Sequence, residues 1–187
     1  MTTQVNLGCG YKHLEGFLNV DSESRGNPDL VLDLEQTPWP FESSSISEVR
    51  MIHVLEHLGR SPEAYLNIIR ELHRICVDGA LIEIEVPHPR HDVFLTDPTH
   101  LRPVLPTQLQ MFSKKANDNW IENGHAITPL GNYMDVDFEI ESLQWIPDPK
   151  WRSKLDSGAI STEDFSELAQ HQNNMILEIK IRWRVLK

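Results

Sequence analysis

The sequence predicts an α/β fold, an open and mostly parallel sheet in a single domain, and three observations carry the reading. Val5-Asn6-Leu7 is a short apolar run that passes directly into Gly8-Cys9-Gly10, a turn freed of Cβ atoms at two positions. Short apolar runs then recur with turn-forming residues between them, at Phe17 to Val20, Leu30 to Leu32 and Val49 to Ile52. After one strong amphipathic segment, Ser61 to Cys76, come Ala80 to Val86 and two late alternating runs, Phe138 to Glu141 and Ile179 to Val185. That makes seven strands, and 187 residues suit one domain with a real core.

Taken in order, the first crossover is unusual. Only Tyr11 to Gly16 separate Gly10 from Phe17, whereas a parallel connection normally takes a dozen residues or more. The first helix must therefore shrink to a turn. Pro28 and Asp29 precede the third strand and Asp33 follows it; Thr37-Pro38-Trp39-Pro40-Phe41 is a stiff loop, because each proline fixes its own φ. Ser61 suits a helix cap, Pro62 the first turn, and His73 with Arg74 the negative end, with Gly79 expected to terminate the segment. Leu66, Ile68, Ile69, Leu72 and Ile75 share a face of that helix, which reads as core. The next strand alternates Glu83 and Glu85 with Ile82, Ile84 and Val86, so one of its faces is partly wet.

Two insertions interrupt the sheet. Residues 88–135 open with His88-Pro89-Arg90-His91-Asp92 and continue through Asp97-Pro98-Thr99-His100-Leu101-Arg102-Pro103, a proline-rich stretch expected to lie extended over the strand ends as a lid or substrate loop. Pro106 to Phe112 reads as a short helix whose Leu109, Met111 and Phe112 pack inward. Residues 147–174 carry Trp151 and a short helical signal from Ser161 to Leu168. Trp120, Trp145 and Trp151 are candidates for aromatic walls around an acceptor, or for core.

The glycine turn and the acid Asp21, at the end of the second run, fall on one rim of such a sheet, where a ligand sits beyond the carboxyl ends of the strands. An acid there accepts hydrogen bonds from a ribose diol. The third glycine of G-x-G-x-x-G is absent, His13 standing in its place, which disfavours a pyrophosphate dinucleotide. The ordered set VNLGCG, FLNVD, DLVLDLEQTPWPF and HVLEHL resembles the class I S-adenosylmethionine-dependent methyltransferases, in particular the small predicted type 11-like members that begin almost at the first strand. The resemblance runs from Val5 to Pro87. It implies a Rossmann-like sheet whose last strand inserts antiparallel between the fifth and sixth, setting Lys180, Arg182 and Arg184 between glutamate-bearing neighbours.

The same resemblance implies S-adenosyl-L-methionine as cofactor, with Asn6, Gly8, Cys9 and Gly10 facing its methionine portion, Asp21 the ribose, Asp33 and Leu34 the adenine, and His53 the adjoining wall. For Asp33 the plain alternative is a cap on the following turn. Methyl transfer to an oxygen or nitrogen of a small-molecule or sugar-like acceptor is the expected reaction, with His57, His88 or His91 as the base that removes the acceptor proton. His53-x-x-Glu56-His57 also matches an inverzincin pattern and is similar to the E-x-x-E-H metal segment of methyltransferases acting on ubiquinone precursors and small-RNA ends, which leaves a divalent metal open as a second cofactor. An EH pair that only packs the loop is the bland alternative. The density of His88, His91, His100, Asp97, Arg90 and Arg102 has three readings: recognition of an anionic or hydroxylated substrate, a metal held with Glu56 and His57, or mutual satisfaction across the loop.

Composition narrows the function classes. A formal net charge of -11 disfavours phosphate-driven nucleic-acid binding. Two cysteines, Cys9 and Cys76, do not make a disulfide framework, no apolar run spans a bilayer, and Met1-Thr2-Thr3 leads into a strand without a signal peptide, so a cytoplasmic protein is expected. A homodimer is left open. Beside the methyltransferase stand a binding module of the same fold without turnover, a dinucleotide oxidoreductase and a metal-dependent hydrolase built on His53, Glu56 and His57.

Overall fold

The computed structural model describes residues 3–187; Met1 and Thr2, expected to lead straight into the first strand, lie outside the described residues. Five parallel strands, β1 (Thr3–Leu7), β2 (Leu18–Asp21), β3 (Leu30–Val31), β4 (Ile46–Ile52) and β5 (Cys76–Pro87), are joined by β6 (Asp137–Pro147) and β7 (Ile176–Leu186). The sheet order is β3-β2-β1-β4-β5-β7-β6, with β7 antiparallel to both neighbours. The expected place of the last strand is thus observed.

Between β4 and β5 lies α1 (Pro62–Ile75). Ser61 Oγ accepts from Ala64 N at 3.1 Å, Pro62 opens the helix, and its buried stripe comprises Tyr65, Ile68, Ile69, Leu72 and Ile75. Its end differs from expectation: Cys76 turns extended at once and begins β5, so Gly79 does not terminate the helix. Gly79 sits instead, at φ 77°, where the β4–β5 register jumps between the pairs Ile46–Cys76 and Glu48–Leu81. The stripe also contains a buried acid, Glu71, which accepts from Trp39 N at 2.8 Å and pairs with Arg74 at 2.8 Å, so that α1 holds the proline-rich loop. Hydrogen bonds from Arg74 keep the Glu71 carboxyl below its ordinary range.

The charge ladder is present. Glu83 faces Arg182 and Glu85 faces Lys180 across β5 and β7, the latter pair meeting at 2.8 Å. Arg182 lies 3.8 Å from Glu83 and 3.5 Å from Glu141, and Arg184 reaches Glu141 as well. Each half-exposed pair contributes about 0.2–1 kcal/mol. On β6 the register shifts between Ile140 and Ser142, and the bulge turns Glu141 toward both arginines.

The first insertion is more helical than the proline count suggests: α2 (Asp92–Thr96), α3 (Pro106–Gln110), α4 (Lys114–Glu122) and α5 (Leu130–Met134) interrupt it. Leu109 and Phe112 are buried as expected, Phe112 lying edge-on to Trp183, which stacks on Phe138 with centroids 3.9 Å apart. The second insertion forms two helices where one is expected, α6 (Pro149–Asp156) and α7 (Thr162–His171), around a small core of Phe165, Met175 and Ile176 packed by Trp151 and Leu168. No helix of the described residues is long and apolar enough to cross a membrane.

The crossover from β1 to β2 contains no helix. A buried asparagine pair takes up its backbone: Asn6 Nδ2 donates to Lys12 O and to Asn19 Oδ1, both at 3.0 Å, and Asn19 Oδ1 accepts from Leu14 N at 2.8 Å. A short 3-10 turn, Ser24–Gly26, then folds back on the glycine turn, and a Cβ on Gly26 would fall well inside contact with Gly10 O. Gly26→Ala should therefore destabilise the chain by about 1–3 kcal/mol, measured by urea unfolding. A second expectation concerns His88, at the end of β5. Burial, with Arg90 and His91 beside it, lowers its pKa to about 4, so the folded state stays neutral where the unfolded chain takes up a proton. Its contribution is complete above the unfolded value of about 6.5 and is lost as pH falls toward 4. His88→Gln should flatten the stability profile across that window.

Candidate functional site

The glycine turn is held from three sides. Cys9 N donates to Val20 O at 3.0 Å, Gly10 N to Asp21 Oδ2 at 2.8 Å, and Gly26 backs Gly10. Gly8 and Gly10 adopt φ of 68° and 52°, the left-handed region that glycine enters without strain. Their missing Cβ atoms serve differently from the sequence expectation. A Cβ on Gly8 would collide with the Val54 side chain, so that position makes room for protein, whereas Gly10 faces open space.

Beside the turn lies a cleft of about 240 Å³ lined by Gly8, Asp21, Ser22, Leu32, Asp33, Leu34, His53, Val54, His57 and Leu58. It brings together six of the candidate residues: Gly8, Asp21, Asp33, Leu34, His53 and His57. Asn6, Cys9 and Gly10 are absent from its wall. Asn6 spends its amide under the crossover, Cys9 is buried with Sγ 3.6 Å from Gly10 O, and the Gly10 N–H is given to Asp21. Asp21 is partly committed too, Oδ1 accepting from Glu23 N at 2.9 Å, though each carboxylate oxygen keeps a further lone pair. Asp33 caps its turn, accepting from Glu35 N at 2.9 Å, and also lines the cleft. The lining contains two carboxylates and, among the described residues, no lysine or arginine.

The wall at the end of β4 is formed by His53, at φ 56°, and the 3-10 turn Leu55–His57. His53 stands between two acids, Nδ1 3.5 Å from Glu56 and Nε2 3.3 Å from Glu178. Interaction with Glu56 outweighs burial and, with Glu178 and Glu85, raises the His53 pKa above the ordinary imidazole value. The loop 97–102 closes on this turn. Leu101 N donates to Glu56 O at 2.8 Å, Arg102 Nε to Leu58 O at 3.0 Å, and the Arg102 guanidinium lies over the Tyr65 ring at 4.1 Å. Burial pushes the Tyr65 hydroxyl up to about 12.

The histidine-rich set of the first insertion divides in two. His100, Asp97 and Arg102 join Glu56 and His57. His88, His91 and Arg90 belong to the second insertion: His91 caps α2 and lies 3.3 Å from Asp148, and Arg90 donates to the carbonyls of Ala169 and Gln170 at the end of α7. His88 meets the Trp145 ring edge-on and lines a separate, largely apolar pocket with Phe165 and Ile176. Of the three candidate bases, only His57 borders the cleft that Asp21 and Asp33 share. Trp120 and Trp151 lie away from that cleft, the latter against Phe165. Gly26 escaped the site reading, because only the folded chain shows a turn packed against Gly10; of the loop histidines named beside Glu56 and His57, the fold brings His100 there and takes His88 and His91 elsewhere.

No protein-family model matches this chain, and no curated protein is detectably similar to it in sequence. Solved structures are similar over nearly its whole length. A SAM-dependent methyltransferase from Archaeoglobus fulgidus superposes with a TM-score of 0.64 at 20% identity, over 98% of this chain and 86% of that one. A SAM-dependent methyltransferase from Methanosarcina mazei gives 0.55 at 13% identity, over 98% and 92%. An S-adenosylmethionine-dependent methyltransferase from Mesorhizobium loti gives 0.51 at 16%, over 97% and 90%. With its strand order and antiparallel last strand, the chain has the fold of the class I S-adenosylmethionine-dependent methyltransferases.

Proposed function

We propose that the protein transfers a methyl group from S-adenosyl-L-methionine to an oxygen or nitrogen of a small-molecule or sugar-like acceptor. The observation that carries this reading is the cleft lining. Two carboxylates, Gly8 and Leu34, and no lysine or arginine among the described lining residues suit a nucleoside without phosphate better than a pyrophosphate dinucleotide. When bound, the cofactor supplies a methyl group activated on a sulfonium. The free lone pairs of Asp21 suit the ribose hydroxyls, Asp33 and the Leu34 backbone the adenine, and Gly8 and His53 the methionine side of the cleft.

The protein's part in the reaction is alignment of the acceptor, exclusion of water and removal of one proton. An acceptor hydroxyl or amine held beside the activated methyl would have to give up its proton to a group of the protein. His57 is the imidazole assigned to that side, since it borders the cleft and its Nδ1 is held by Thr99. Residues 88–135 cover the acceptor in this reading, because the loop carrying Thr99 and His100 seals one end of the cleft wall. One observation favours a second reading, a binding module without turnover: the crossover loop leaves Tyr11 81% exposed and Leu14 37% exposed, uncovered by a helix.

Calorimetric titration with S-adenosylhomocysteine, repeated with NAD, tests the cofactor class. Micromolar binding of the first and none of the second is expected; preference for NAD would overturn it. Asp21→Ala should weaken adenosyl binding by about ten- to a hundredfold, as expected for a hydrogen bond to a charged group. Asp21→Asn, which keeps one acceptor for the Gly10 N–H, should lose less.

A further inference from the structure

We propose that Glu56, His57 and His100 form a binding site for one divalent transition-metal ion of the zinc class on the wall of the nucleoside cleft. One ligand atom from each of these side chains lies within 4.8 Å of the other two. Glu56 supplies the independent sign. Its side chain is 1% exposed, and neither carboxylate oxygen has a hydrogen-bond partner. The nearest imidazole nitrogen outside the set, His53 Nδ1, is 3.5 Å away, too long to satisfy it. A carboxylate removed from water in this way needs a cation or a set of donors, and histidines crowd it.

The histidines are already oriented as ligands. His100 Nδ1 lies 2.7 Å from Phe94 O, which only accepts, so the ring proton is on Nδ1 and the lone pair on Nε2, 4.0 Å from Glu56 Oε1. Thr99 Oγ1 donates to Asp97 Oδ1 at 2.6 Å, which leaves its lone pair to accept from His57 Nδ1 at 3.0 Å. That places the His57 lone pair on Nε2 too. An imidazole N–H fixed by a carbonyl or by a carboxylate-backed hydroxyl is the outer support that metal-bound histidines require. Ligands about 2.1 Å from a tetrahedral ion stand about 3.4 Å apart, so closure asks for side-chain shifts of under about 1 Å. His53 is excluded from the set, because both its nitrogens face acids.

Two imidazoles and one carboxylate favour zinc over magnesium, which prefers oxygen ligands. Three protein ligands leave a fourth position, and His57 borders the cleft. Resting on the methyltransferase reading, an acceptor hydroxyl bound there would lose its proton more readily. His57 would then act through the ion.

The test measures metal alone, independently of methyl transfer. Chelator-treated protein is dialysed against zinc, manganese or magnesium chloride and its metal content determined. One equivalent of zinc at micromolar affinity or tighter, a raised melting temperature and little magnesium are expected. Glu56→Gln and His100→Gln should each weaken zinc by about tenfold or more, whereas His88→Gln, in the other pocket, should not. Cobalt(II) should give visible ligand-field bands that both site variants lose. Glu56→Gln removes an unpartnered buried charge, so the metal-free variant should fold at least as stably as the parent, checked by its unfolding curve; if it does not fold, His100→Gln and the cobalt spectrum decide. Absence of zinc binding, or binding undiminished in the site variants, would overturn the proposal. Zinc binding without S-adenosylhomocysteine binding would leave this site standing and remove the methyltransferase reading.

Discussion

Two parallel strands joined by a turn in place of a helix leave a row of backbone donors and acceptors beneath the loop, and the rest of the site depends on where those groups go. Asn6 and Asn19 solve the problem from inside the sheet. They bond to each other at 3.0 Å, while Asn19 reaches Phe17 O at 3.1 Å and Asp29 at 3.0 Å. The buried amides thus do part of the work that helical hydrogen bonds do elsewhere. With the crossover pinned, β2 lies in register beside β1 and delivers Asp21 to the Gly10 N–H.

That economy shapes the chemistry of the cleft. A first helix would present its amino end and positive dipole to the ligand; here the amide of the turn is committed to an acid of the same protein. The cleft therefore has acceptors at the Asp21 and Asp33 end and imidazoles at the other, with no fixed cation among the described lining residues. Its imidazole end is stiffened by the loop 97–102, whose arginine ties the 3-10 turn to α1 through Leu58 and Tyr65.

Strand positions and α1 were legible because they follow from local chemistry: apolar runs ending at glycine or proline, a serine cap, a proline in the first turn. The order of β5, β7 and β6 came from the family resemblance, and the matching alternation of glutamates and basic residues then gave the charge ladder. Asp21 could be placed on one rim with the glycine turn from sheet topology, and Asp33 and His53 beside them from the resemblance. What stayed hidden depends on approach in space. Nothing in Gly26 announces that it backs Gly10, and nothing in Glu71 announces a buried anchor for the Trp39 loop, its charge matching the solvent face of any helix. The run from His88 to Arg102 reads as one polar loop, yet α2 divides it, sending His88 and His91 to the second insertion and His100 to Glu56. The bulge at Glu141 did leave a trace, since the alternation of Phe138 and Ile140 resumes out of phase at Leu143 and Trp145, beyond the run Phe138 to Glu141 on which the strand was recognised.

That bulge bears on how the protein behaves in a crowd. An open sheet has two margins at which a foreign strand can add, and such addition is the first step toward fibrils and tangled dimers. One margin here is β3, two residues long and too short to serve as a template. The other is β6, an eleven-residue edge broken by the register shift after Ile140 and bearing Glu139 and Glu141. A strand adding there would meet a twist it cannot follow and charges it must bury. The irregularity that aligns two arginines within the sheet also guards its outer border against unwanted self-association.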